Sequence, residues 1–160
     1  MCNLLVSNAL DQPQVFVHRD YHSRNLMVIE DAPGILDFQD AVEGPITYDL
    51  VSLLKDCYIK WDHAQVATWM NTFCVESRNI GLHSLSDDQF VRCFDLMGVQ
   101  RHLKAAGIFA RLNHRDGKPD YLRDVPRTLS YIVDLASKYD ELAFVIELIN
   151  THCLPALEPS

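Results

Sequence analysis

Apolar residues follow two different rhythms along this chain. At 15–18 (VFVH) and 26–29 (LMVI) they form short β-branched and aromatic runs, the mark of strands. Residues 30–34 (EDAPG) are a turn cluster, and ILDF at 35–38 follows. That order predicts a hairpin whose second strand ends at Asp37 and Phe38. From Ile46 the period lengthens, and Leu50, Leu53, Leu54, Cys57 and Tyr58 fall on one helical face. Thr47 stands at its N-cap and Asp49 in its first turn, where a carboxylate favours the helix dipole. A second helix is expected from near Asp62 to a stop at Gly81, with Trp61 and Trp69 in the core. Ser86-Asp87-Asp88-Gln89 has the form of a capping box. It opens a long helical stretch to about Leu112, with a break expected at Gly98 or Gly107, and residues 113–119 read as a polar loop. Pro126 suits the first turn of a further helix carrying Leu129, Ile132, Val133 and Ala136. Asp140 caps a last helix that ends by Pro155. The reading is one domain over residues 1–160, α+β and mostly α-helical.

Composition narrows the partners. The 160 residues carry a formal charge of -8, which argues against nucleic acid or an anionic membrane, since both would repel this surface. The five cysteines are widely spaced, with no C-x-x-C. That pattern fits free thiols in a reducing compartment better than a disulfide framework or a zinc site. The first residues have no basic n-region and no apolar stretch approaches membrane-spanning length, so the expected setting is cytoplasmic and the expected partner a small molecule.

The chemistry concentrates in residues 17–38. Asp20 and Asn25 lie on one loop between two short strands, and Asp37 ends the next strand, where the hairpin turn returns it beside that loop. Phosphoryl transfer needs a carboxylate to orient the attacking hydroxyl and accept its proton, and oxygen ligands to hold magnesium on the phosphates. These three residues supply that set. Asn is a suitable neutral ligand because it adds no charge to repel phosphate.

H-R-D-Y-H-S-R-N at 18–25, followed by D-F at 37–38, resembles the catalytic and metal-binding loops of the kinase-like superfamily. The spelling, with His22 two residues after Asp20, and the continuation D-F-Q-D-A-V-E-G-P-I-T-Y-D-L resemble the aminoglycoside phosphotransferase and choline kinase branch. Within it the chain is similar to bacterial kinases acting on the anomeric hydroxyl of N-acetylmuramate or N-acetylglucosamine in cell-wall recycling. Q-R-H-L-K at 100–104 and G-I-F-A-R-L at 107–112 add to that similarity. The resemblance implies a kinase-like C-terminal lobe, with ATP as co-substrate and Mg2+ as cofactor. It implies Asp20 as catalytic base, Asn25 and Asp37 as magnesium ligands, and His18 and Asp49 as braces of the catalytic loop. Asp40 and Arg111 are candidate substrate contacts.

The family also places a glycine-rich loop and an ATP-contacting lysine in an N-terminal lobe. The seventeen residues before His18 contain neither glycine nor lysine, so that lobe is expected to be absent here. Its loss would leave apolar surface exposed along residues 1–10 and the nucleotide-side edge, inviting self-association. Two other functions compete. One is a non-catalytic remnant of the lobe. The other is a metal-dependent hydrolase in which His18, Asp20 and His22, alternating on a strand, share one face.

Overall fold

A computed structural model describes residues 1–30 and 32–157. The β-branched run forms β1 (Gln14–Val17), which pairs antiparallel with β4 (Val42–Pro45) in the register Val15↔Gly44 and Val17↔Val42. Between them lies the expected hairpin of β2 (Leu26–Val28) and β3 (Pro33–Ile35), with Met27 opposite Gly34. The β1–β4 pair thus clamps both ends of the segment that holds the candidate loops. The second hairpin strand begins two residues earlier than its apolar run and stops at Ile35. Asp37 takes up φ 64°, ψ 39°, a left-handed conformation that breaks the pleat, so Asp37 and Phe38 stand beyond the strand.

The remainder is helical. It comprises α1 (Cys2–Leu10), α2 (Tyr48–Leu54), α3 (His63–Asn79), α4 (Asp87–Asp116), α5 (Val125–Val133) and α6 (Ala143–Leu148). Asp62 caps α3 by accepting from Ala64 and Gln65 N–H, and Ser86 with Gln89 closes the capping box of α4. Thr47 precedes α2 but leaves it uncapped, because its hydroxyl instead donates to Gln12 Oε1 at 2.6 Å. Helix α2 is shorter than its apolar spacing suggests. The Asp56 carboxylate accepts from Tyr58 N at 2.8 Å, an Asx turn that competes with continued helix, and Cys57 and Tyr58 fall outside it.

Helix α4 is the central element. One core cluster packs its Phe90, Phe94 and Met97 against Val51 and Leu54 of α2 and Met70 and Cys74 of α3. The other packs Leu96, Val99 and Phe109 with Leu5 of α1 and Leu129 and Ile132 of α5. Each of these buried side chains contributes about 1.5–3 kcal/mol of burial, which outweighs the ~1 kcal/mol penalty of a mid-helix glycine. The helix therefore runs unbroken through Gly98 and Gly107. A Cβ at Gly98 would stand 3.6 Å from Lys55 Cδ and Nζ, an ordinary contact distance, so the site does not demand glycine for space. Of the residues read as a polar loop, 113–116 are the last helical turn, because polarity alone does not stop a helix, while 117 and 118 lie beyond it. Gly117 stops it, at φ 62°, with its N–H and that of Lys118 returning to the Asn113 and Leu112 carbonyls in a left-handed closure.

Three further differences stand out. Residues 2–10, to which the apolar pattern assigns no element, form helix α1, which is too short for a 3.6-residue period to declare itself. Trp61 and Trp69 are not core residues. They meet edge to face at 5.3 Å on the surface, each 38% exposed. Ala136, placed on the fifth helix by spacing, lies exposed beyond it. The five cysteines are free thiols, as expected. Among the described residues no helix is long and apolar enough to cross a membrane.

Candidate functional site

β1 delivers His18 into the interior, where it is 4% exposed, and the chain then turns sharply at Arg19, φ 78°. Among the described residues only Arg19 and Asp37 hold positive φ without being glycine. Such strain costs about 1–3 kcal/mol per residue and persists only where the surroundings enforce it. The enforcing groups are identifiable. The Asp49 carboxylate accepts from both His18 N (2.6 Å) and Arg19 N (3.0 Å). Arg101 of α4 donates to the Arg19 carbonyl at 3.1 Å and to Ser52 Oγ at 2.6 Å. Asp49 thus sits at the start of α2 as a brace for the loop, besides any effect on the helix dipole.

The His18 ring links this loop to the hairpin. Its Nδ1 accepts from Asp20 N at 3.3 Å, and its Nε2 lies 2.9 Å from the Leu36 carbonyl. A carbonyl can only accept, so the pattern assigns the proton to Nε2 and a neutral ring. Asn25 closes the loop, its Nδ2 donating to the Asp20 carbonyl at 2.9 Å, while its own carbonyl accepts from Leu36 N at 2.9 Å. Leu36, immediately before Asp37, is therefore held on one side by His18 and on the other by Asn25. Ser23 adds a further tie, giving both its N–H and its hydroxyl to Asp56 Oδ2 at 2.9 and 2.6 Å. Asp20, Asn25 and Asp37 are thereby joined through hydrogen bonds to their own or adjacent backbone.

Asp20 lines a cavity of about 210 Å3 together with His22, Lys55, Tyr58, Arg101 and Lys104. Its carboxylate makes no hydrogen bond within the described residues, while its N–H and carbonyl are both engaged. Asn25 and Asp37 do not line that cavity. Asp37 is exposed, with Oδ1 accepting from Gln39 Nε2 at 2.5 Å. Asp40 is also exposed; its carbonyl, not its carboxylate, meets Arg19 at 3.3 Å. Arg111 faces outward on α4, and neither Asp40 nor Arg111 lines the cavity. Sequence reasoning gave no role to Arg101, Lys104 and Asp56. The available signal was the Q-R-H-L-K stretch, because residues three apart on a helix share a face.

Two histidines, His22 and His102, line the cavity. His102 is 2% exposed, donates Nε2–H to the Lys55 carbonyl at 2.9 Å and stacks on Tyr131 at 4.7 Å. Burial pulls its pKa down to about 4, so it is neutral near pH 7. His22 leaves Nδ1 buried without a partner and meets Tyr58 edge to face. The hydrolase reading fails on His18, whose two ring nitrogens are both occupied. Among the described residues, moreover, no three His, Cys, Asp or Glu side chains gather to hold a metal ion.

Magnesium asks for less. It is held by one or two carboxylates together with phosphate and water oxygens, rather than by an all-protein cage. Asn25 and Asp37 fit that demand. The Asn25 amide nitrogen is committed to the Asp20 carbonyl, and its oxygen makes no hydrogen bond among the described residues. Asp37 keeps one carboxylate oxygen without a hydrogen bond among the described residues.

The model of the phosphotransferase enzyme family matches residues 3–86, just over half of the chain and the whole of this loop system. N-acetylmuramate/N-acetylglucosamine kinase from Pseudomonas aeruginosa is 51% identical over 150 residues, 93% of this chain and 44% of its own length. The kinase of the same name from Neisseria meningitidis is 49% identical over 151 residues, 91% of this chain and 45% of its own length. That from Caulobacter vibrioides is 34% identical over 123 residues, 74% of this chain and 32% of its own length. The chain spans less than half the length of these curated relatives. On the matched loop system, the chain belongs to the phosphotransferase enzyme family.

Proposed function

We propose that these residues form the catalytic half of an ATP-dependent kinase that phosphorylates a hydroxyl of a sugar or amino sugar, with N-acetylmuramate and N-acetylglucosamine as acceptors. The observation that carries it is the bonded path from Asp20 through His18 and Leu36 to Asn25 and Asp37. That path holds one carboxylate at a cavity and two oxygen ligands outside it. Asp20 receives the proton of the acceptor hydroxyl, and its unengaged carboxylate suits a base. Asn25 and Asp37 hold Mg2+, which when bound neutralises charge on the transferring phosphoryl group. His18 and Asp49 act on the loop and not on the substrate. The names of the relatives support the acceptor class.

The nucleotide-holding lobe is assigned to sequence outside these 160 residues. Exposed apolar side chains support this: Leu10 and Phe16 are 74% and 76% exposed, and Phe38 and Val28 also stand in solvent. A groove of about 650 Å3 runs past Tyr21, Ile35, Leu50 and Phe73. Such a surface is expected to be covered, and residues 1–160 alone should self-associate. In the full-length reading frame that carries these residues, ADP release with Mg-ATP should require N-acetylmuramate or N-acetylglucosamine in a panel that also holds aminoglycosides, choline and homoserine. Turnover of choline or an aminoglycoside, with neither sugar accepted, would refute the acceptor assignment.

A further inference from the structure

Besides Asp20, the cavity is lined by the Asp56 carboxylate, which Ser23 and Tyr58 already engage, and by three cations, Lys55, Arg101 and Lys104. Lys55 lines it but is neutralised, since Asp95 takes its ammonium at 3.0 Å. Asp95 also holds Lys138 and the Tyr139 hydroxyl; burial pushes its carboxyl up, yet the two ammonium groups outweigh that and keep it below the usual range. Arg101 and Lys104 differ. Among the described residues neither has a carboxylate within ion-pair distance, although the chain as a whole carries a formal charge of -8. Their neighbour is an aromatic ring. The Arg101 guanidinium carbon lies 4.3 Å from the Tyr48 ring centroid, and Lys104 Nζ lies 6.0 Å from that centroid and 3.2 Å from the hydroxyl oxygen.

Two like charges one helical turn apart repel, by an amount that an anion placed between them would reverse. Donors remain for such an anion. Arg101 gives one N–H to the Arg19 carbonyl and one to Ser52, out of five, and Lys104 gives one of three to Tyr48. The transferred phosphoryl group is assigned to the side of Asn25 and Asp37, which do not line this cavity. On the sugar-kinase reading above, the cavity belongs to the acceptor. N-acetylmuramate differs from N-acetylglucosamine by a lactyl ether that ends in a carboxylate.

We propose that Lys104, with Arg101 beside it, forms a carboxylate-binding subsite that favours the acidic acceptor over the neutral one. This rests on the sugar-kinase reading. Arg101 also positions the loop through Arg19, so Lys104 is the residue to change. In the full-length reading frame, kcat/KM is measured for N-acetylmuramate and N-acetylglucosamine in wild type, Lys104→Met and Lys104→Arg. A charge-assisted hydrogen bond corresponds to roughly a tenfold to hundredfold change. Lys104→Met should therefore shift the ratio of the two kcat/KM values at least tenfold toward N-acetylglucosamine. The shift should appear mainly as a raised KM for N-acetylmuramate, and Lys104→Arg should recover most of it. A ratio unchanged within twofold in Lys104→Met overturns the subsite while leaving the kinase reading intact. Wild-type protein that phosphorylates neither sugar removes the reading and the subsite together.

Discussion

Replacing Asp20 with Asn is expected to lower phosphoryl transfer in the full-length protein by between about a hundredfold and ten-thousandfold, the range for loss of a positioned proton acceptor. The geometry makes the substitution clean. The Asp20 carboxylate makes no hydrogen bond within the described residues, whereas its backbone is tied to His18 and Asn25. Asn keeps the shape and those backbone bonds but cannot accept the proton, and its amide would present a donor to the acceptor hydroxyl. Stability should change little, because the substitution breaks no side-chain hydrogen bond among the described residues. A coupled ADP assay with saturating sugar checks the rate, and urea unfolding checks the fold. Retention of a tenth or more of wild-type turnover would remove Asp20 from the base role.

The second large effect concerns acid stability and centres on His102. Its folded pKa is lowered by burial to about 4, from 6.5. The unfolded chain therefore takes up a proton at this position before the folded chain does, and stability falls as the pH drops through that window. The contribution is fully present above about pH 6.5 and is lost by about pH 4, a change of about 3 kcal/mol at roughly 1.4 kcal/mol per pH unit. Urea unfolding across the window should show this slope. His102→Gln, which stays neutral and can still donate to the Lys55 carbonyl, should remove about one proton's worth of it. The variant should be less stable at neutral pH through loss of the Tyr131 stack. Equal slopes in wild type and variant would show that His102 does not carry the acid sensitivity.

What could be read from the chain was what neighbours in sequence decide. The β2–β3 hairpin, the start of α3 near Asp62 and the Ser86–Gln89 box are local, and each forms where the pattern placed it. The β1–β4 pairing joins Gln14 to Pro45 across the whole candidate segment, and no local pattern announces it. Asp49 could be placed in a first turn from spacing, but its two bonds to the loop depend on that long-range pairing. Helix ends were misjudged where a single competing contact decided them: Asp56 stopped α2 early, and Gly117, not the polar run before it, stopped α4. Trp61 and Trp69 fall at helical spacing with other apolar residues, which points to the core, yet the rings meet each other at the surface. The cavity wall was hidden for a similar reason. Arg101 and Lys104 follow Asp20 by some eighty residues and reach it only because α4 packs against α2, so helical spacing gave them a common face without revealing what it confronts.

Nucleotide binding tests the central claim most directly, because it separates the two ligand residues from the base. In the full-length reading frame, calorimetric titration with ATP in the presence and absence of magnesium is compared for wild type, Asp20→Asn and Asp37→Asn. Asp37→Asn should weaken Mg-ATP binding at least tenfold and abolish the gain that magnesium confers. Asp20→Asn should bind Mg-ATP within about threefold of wild type. Wild-type magnesium-dependent affinity in Asp37→Asn would contradict the assignment of this loop system to phosphoryl transfer.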